Sequence, residues 1–133
     1  MQIEQLTDYK VLQQFLDRAG SSLRTFRYFN HRPLTVVTNH LCTLIGLVDG
    51  RPVSYGHLDK EDGIVWLGIC VAESEKGKGY GDQMMDALLE HRGEISLAVD
   101  LDNLGAQKLY EKKGFQYVKT ERAMKFYVLG ERP

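Results

Sequence analysis

The chain is predicted to fold as a mixed α/β domain. The evidence is a run of antiparallel strand signals, then a strand–glycine loop–helix–strand segment that forces a parallel pair. The strand signals lie between Leu41 and Ala72, where apolar runs are broken by Asp49-Gly50 and by Lys60-Glu-Asp-Gly63, both tight-turn sequences. The crossover segment runs from Ile64 to Val99, so the strands at its two ends should be parallel neighbours. About four helices pack on the resulting sheet, and residues 1–133 read as one domain.

The elements follow in order. Ile3–Leu6 reads as a short strand. Thr7–Ala19 reads as a helix, with Thr7 or Asp8 as its N-cap and Val11, Leu12, Phe15 and Leu16 at helical spacing. Gly20 ends it, and Ser21-Ser22 can cap a second short helix carrying Leu23, Phe26, Tyr28 and Phe29. Leu41–Val48, Pro52–Leu58 and Ile64–Ala72 form a meander. A helix over Gly81–His91 buries Met84, Met85, Leu88 and Leu89. Ile95–Val99 is a strand, Asn103–Lys113 a helix, and Phe115–Lys119 and Met124–Leu129 are two closing strands.

The bulk numbers narrow the function classes. The chain has 133 residues, 43% hydrophobic and 26% charged, an ordinary globular balance. Its formal net charge of -1 provides no basic field for nucleic acid or an anionic membrane, so an anionic ligand must be held locally. The two cysteines, Cys42 and Cys70, sit in apolar runs and read as buried free thiols. No signal peptide is visible, and no apolar run approaches the roughly 18 residues of a membrane span. A cytoplasmic location is the expectation. No His, Cys and carboxylate cluster has metal-ligand spacing, so no metal is expected.

The glycine loop carries the chemistry. Lys76, Gly77, Lys78, Gly79, Tyr80, Gly81 and Asp82 lie between a strand and a helix. Alternating glycines let several backbone N–H groups converge on one point, and the helix adds the positive end of its dipole. Two lysines add local charge. Together these make a cradle for a pyrophosphate. A Walker loop would need Ser or Thr after Gly-Lys, and a dinucleotide fingerprint would need glycine where Asp82 stands.

The pattern Val71-x-x-x-x-Lys76-x-x-Gly79-x-Gly81 resembles the signature of the GNAT superfamily of N-acetyltransferases, with lysine where the family usually has Arg or Gln. A second element, Asn103-x-x-Ala106-x-x-Leu109-Tyr110-x-x-x-Gly114-Phe115, is similar to another motif of that family at every named position. The resemblance covers about 45 residues strongly. It implies acetyl-CoA, or coenzyme A, on the loop. It further implies that the strand before the loop splays from its parallel neighbour, so that the pantetheine arm pairs with backbone near Ile69, Cys70 and Val71. Asn103 would bond that arm or the loop beneath it, with Ala106 alongside. Tyr110 would protonate the leaving thiolate, and the amide near Val71 would meet the oxyanion.

The reaction implied is attack by a primary amine on the thioester. For the base, His57 is the first candidate, with Asp59, Glu61 or a water chain as alternatives. Arg27, Tyr28 and Trp66 are the candidate acceptor contacts. The expected acceptor is a small-molecule amine, an amino sugar or amino-acid derivative among the options. A protein amine, or an acyl-CoA-binding module without catalysis, stays open beside it. Family members often pair through their C-terminal strands, which makes a homodimer an expectation from resemblance.

Overall fold

The computed structural model describes residues 1–133 and contains one seven-stranded sheet. Its strands are β1 (Gln2–Gln5), β2 (Cys42–Val48), β3 (Arg51–Glu61), β4 (Ile64–Val71), β5 (Ile95–Asp100), β6 (Gln116–Glu121) and β7 (Met124–Leu129), in the order β1-β2-β3-β4-β5-β7-β6. The helices are α1 (Tyr9–Arg18), α2 (Tyr80–Leu88) and α3 (Leu104–Lys112), joined by 3₁₀ turns at Gly20–Arg24, Leu34–Asn39 and Glu73–Glu75. The mixed α/β class and the parallel β4–β5 pair are as the sequence predicts.

Turn chemistry sets the meander. Asp49 and Gly50 both have positive φ, as do Asp62 and Gly63, the backbone that joins β2 to β3 and β3 to β4 in tight hairpins. β3 is buried from Pro52 to Asp59 because both of its faces are covered. On one face Leu58 and Leu67 meet Met84, Met85 and Leu88 of α2. On the other, Tyr55 and Cys70 meet Leu12 and Phe15 of α1. Helix α2 lies so close to the sheet that a Cβ at Gly56 would sit 2.8 Å from Leu88 Cδ1 and 2.9 Å from Met84 Cγ. Glycine is required there by approach rather than by φ.

Asp8 caps α1, its side chain accepting from Lys10 N, and Asn103 caps α3, accepting from Ala106 N. Two expectations need correction. Ser21 and Ser22 do not cap a helix: the first hydroxyl bonds Glu73 and the second donates to the carbonyl of Val71 at 2.7 Å, tying the turn to the end of β4. The segment Leu34–Asn39, where no element was foreseen, forms a 3₁₀ turn that delivers His40 to the sheet.

Leu88 is 1% exposed and fills the space above Gly56. Leu88→Ala is expected to destabilise the chain by about 2–5 kcal/mol, read as a lower urea midpoint at unchanged slope.

Candidate active site

Strands β4 and β5 run parallel but share a single register pair, Trp66 with Ser96. Beyond Trp66 they diverge, so the inner edge of β4 from Leu67 to Val71 has no partner on that side. A parallel ladder left unpaired needs another source of hydrogen bonds. The divergence opens a cavity of about 430 Å³, with Ile69, Cys70, Val71, Asn103, Ala106 and Tyr110 on its walls.

The glycine loop closes one end of this cavity. Gly77 and Gly79 have φ of +82° and +84°, and a Cβ at either would meet nothing within 4 Å. Gly79 is the N-cap of α2 and no side chain caps that helix. The first N–H groups of α2 therefore face open space beside the positive end of its dipole. Lys76 is exposed, whereas Lys78 bonds the buried carboxylate of Glu75 at 2.8 Å, which Arg18 and Arg51 also approach. Asp82 is held by Lys112 at 2.7 Å and by Lys113 at 2.5 Å, which drop its pKa to about 2. A loop of unpaired amides leading into a slot with a bare strand edge fits a pyrophosphate followed by an extended amide-bearing arm.

Tyr110 stands where this cavity meets a second one of about 470 Å³ and lines both. The hydroxyls of Tyr28, Tyr55, Tyr117 and Tyr127 each have a protein partner, and that of Tyr110 has none. Burial drives its pKa well above the usual 10, so the proton stays on the oxygen. Cys70 stays a thiol, burial pushing it up to about 12.

The second cavity is walled by a polar cluster on the α1 side of the sheet. His57, Asp59 and Glu61 project from β3, opposite Gly68, Trp66 and Ile64 of β4. Tyr28 donates to Asp59 at 2.8 Å and meets His40 Nε2 at 2.7 Å, while His40 Nδ1 lies 2.9 Å from Thr43 Oγ1. An ionised Asp59 only accepts, so Tyr28 donates to it and His40 donates to Tyr28. Partial desolvation, then the adjoining Asp59 carboxyl, raise the pKa of Glu61. Arg27 lines the cavity with its guanidinium bound bidentately to Asp100, both contacts at 2.9 Å. Trp66 packs edge-on against Phe126.

His57 is 2% exposed and its pKa falls to about 3, first through burial and then through the neighbouring His40 and Arg32 charges. It is neutral at physiological pH, and as a base it is weak. Sequence reasoning placed Tyr28 and Trp66 at this site and weighed His40 as a weaker base candidate, but left out Thr43 and Tyr55, whose only signal was polarity within apolar surroundings.

Residues 7–115 match the model of the acetyltransferase (GNAT) family. The chain belongs to that family. Acetyl-CoA is the family's cosubstrate, and acyl transfer to an amine is its reaction. The spermine/spermidine N(1)-acetyltransferase of Bacillus subtilis is 36% identical over 66 residues, 44% of this chain and 43% of that enzyme. The match thus covers less than half of that relative. Solved structures share the fold across nearly the whole chain. The ribosomal-protein-alanine N-acetyltransferase of Brucella melitensis superposes with a TM-score of 0.77 at 14% identity, covering 97% of this chain and 99% of that one. The phosphinothricin acetyltransferase of Sinorhizobium meliloti, in complex with acetyl-CoA, gives 0.76 at 14% identity, covering 98% and 88%.

Two outcomes follow. Gly79→Asp adds a carboxylate to the cradle at a positive φ, and calorimetry is expected to show coenzyme A affinity lowered at least about tenfold. The folded-state pKa of His57 lies below its unfolded value of about 6.5, so the unfolded chain takes up the proton first. Urea stability should therefore fall as pH drops from about 6.5 towards 4, by on the order of 1 kcal/mol per unit from this residue, with a shallower fall in His57→Phe.

Proposed function

We propose that the chain transfers the acetyl group of acetyl-CoA to a primary amine of a small molecule that carries a second positive charge, by direct attack with both substrates bound. The observation that carries the acceptor class is the carboxylate balance of the second cavity. Arg27 neutralises Asp100 and Arg32 lies 3.9 Å from Glu61, whereas buried Asp59 has only His40 at the same 3.9 Å, a ring that burial biases towards its neutral form, so no fixed cation faces that carboxylate. A lone buried carboxylate beside a second one is a site for an ammonium. The polyamine activity named for the Bacillus subtilis relative supports the same reading.

The roles divide along β3 and β4. The loop amides from Gly77 to Asp82, with Lys76, hold the pyrophosphate, and the bare edge at Ile69–Val71 orients the arm beside Asn103. Bound acetyl-CoA supplies the activated acyl carbon. Asp59 holds the acceptor's charge. Glu61, its pKa raised by partial desolvation and by the adjoining carboxyl, takes the proton that the reacting ammonium must lose. Tyr110 keeps its proton until charge develops on the departing sulfur beside it, the one condition under which so buried a phenol gives it up. Trp66 and Tyr28 line the route of an alkyl chain. All 133 residues act as one catalytic unit, and the two free cysteines suit a reducing, cytoplasmic compartment. No helix is long and apolar enough to cross a membrane.

The test is thiol release from acetyl-CoA against a panel of diamines, polyamines, amino sugars and amino acids. Diamines and polyamines are expected to turn over fastest, and a preference for anionic acceptors would overturn the assignment. Asp59→Asn should raise KM for a diamine by roughly 10- to 100-fold with kcat less affected. Tyr110→Phe should cut kcat by about 10²-fold while coenzyme A binding is unchanged.

A further inference from the structure

His57 is the one buried titratable group in the second cavity that these roles leave unused. Its Nδ1 lies 2.7 Å from the Tyr55 hydroxyl, and that is the only hydrogen bond either group makes. Tyr55 is fully buried between Phe15 and Phe26, with no other acceptor for its O–H. A buried hydroxyl proton without an acceptor costs more than a carbonyl-type lone pair left unused, so Tyr55 donates to Nδ1. A neutral imidazole that accepts at Nδ1 carries its hydrogen on Nε2.

That Nε2–H has no protein partner, yet no side-chain nitrogen or oxygen in the chain is both buried from solvent and unpartnered. Nε2 therefore opens onto the cavity that His57 lines together with Gly68, Ile69 and Tyr110. Its position is enforced from β4. A Cβ at Gly68 would come within 2.5 Å of Cε1 and Nε2, so the ring occupies the space a side chain at 68 would take. This sets the N–H beside the start of the unpaired β4 edge, on the acceptor side of Tyr110.

We propose that His57 is a catalytic hydrogen-bond donor, its Nε2–H binding the acyl oxygen as negative charge develops there, with Tyr55 as the positioning residue that fixes the tautomer. An N–H in this place has few possible partners. It repels an ammonium, and bonding to a free amine would occupy the lone pair needed for attack. Oxygen of the acyl group is the electron-rich atom that attack creates, and Tyr110 already serves the sulfur. The ring donates a hydrogen bond and keeps its proton throughout. The inference rests on the preceding reading only for the identity of that oxygen.

Surrounding groups favour the neutral ring. Arg32 and His40 lie towards it from the segments after the first and second 3₁₀ turns, with Tyr28 between them. Asp59 and Glu61 follow on β3, the former engaged by Tyr28. Cys70 of β4 and Tyr110 of α3 remain protonated, and Asp100 of β5 is neutralised by Arg27.

The decisive measurement is imidazole ¹⁵N and ¹H NMR on the intact wild-type chain, without ligand and with coenzyme A. The His57 signals are expected to show the Nε2–H tautomer with no titration between roughly pH 5 and pH 8. A titration in that window, or hydrogen on Nδ1, would overturn the proposal whether or not an acceptor has been found. Tyr55→Phe should populate the Nδ1–H form. In turnover, His57→Gln keeps an N–H donor and should retain at least about tenfold more kcat than His57→Phe, which should lose roughly 10²-fold with coenzyme A affinity unchanged. Full kcat in His57→Phe would equally overturn it. Absence of thiol release by wild type with every amine would instead count against the acetyl-transfer reading, leaving the NMR result to stand alone.

Discussion

The divergence of β4 from β5 after one shared register pair is the constraint on which the rest depends. A sheet interior normally has no free backbone, because each unpaired N–H or C=O buried away from water costs about 1–3 kcal/mol. Here the gap is held open from both sides. The Gly20–Arg24 turn is tied to the carbonyl of Val71, and Gln107 Nε2 bonds the carbonyls of Asp100 and Leu101, fixing α3 against the end of β5. Neither strand can close on the other without losing those bonds. The slot, the glycine loop at its end and Tyr110 at its mouth are consequences of that standoff.

Most of this was legible in the sequence because it depends on local backbone demands. Asp49-Gly50, Gly79 and Gly114 each mark a positive φ that a neighbouring element requires, and the Asp102-Asn103 pair marks a cap, which the structure gives to Asn103. Such signals are short-range and survive without knowledge of the fold. Asn103 and Tyr110, which the helix motif singled out, line the same cavity as the glycine loop.

The polar cluster was not legible in the same way. Tyr28, His40, Thr43, Tyr55, His57 and Asp59 come from three separate segments, and nothing in their spacing says that they meet. The strand alternation does put Tyr55, His57 and Asp59 on one face of β3, yet it cannot tell a base from a donor. That distinction depends on which hydroxyl reaches Nδ1 and on how much water reaches the ring. Arg27 shows the same limit: the sequence offers it as an acceptor contact, and only the structure shows its charge spent on Asp100.

Glu75 sits buried behind the phosphate loop with Lys78 bonded to it and Arg18 and Arg51 within 4.0 Å. One carboxylate thus orders three cations behind the loop, and Lys76 has no ion-pair partner, so the loop's surroundings stay positive before any ligand arrives. Oriented amide dipoles at contact range add to that attraction, and dissolved ions screen them far less than they screen the field of the exposed cations. The grip on a pyrophosphate therefore has two parts, a contact part from the amides that salt leaves nearly untouched and a longer-range part from the cations that salt weakens.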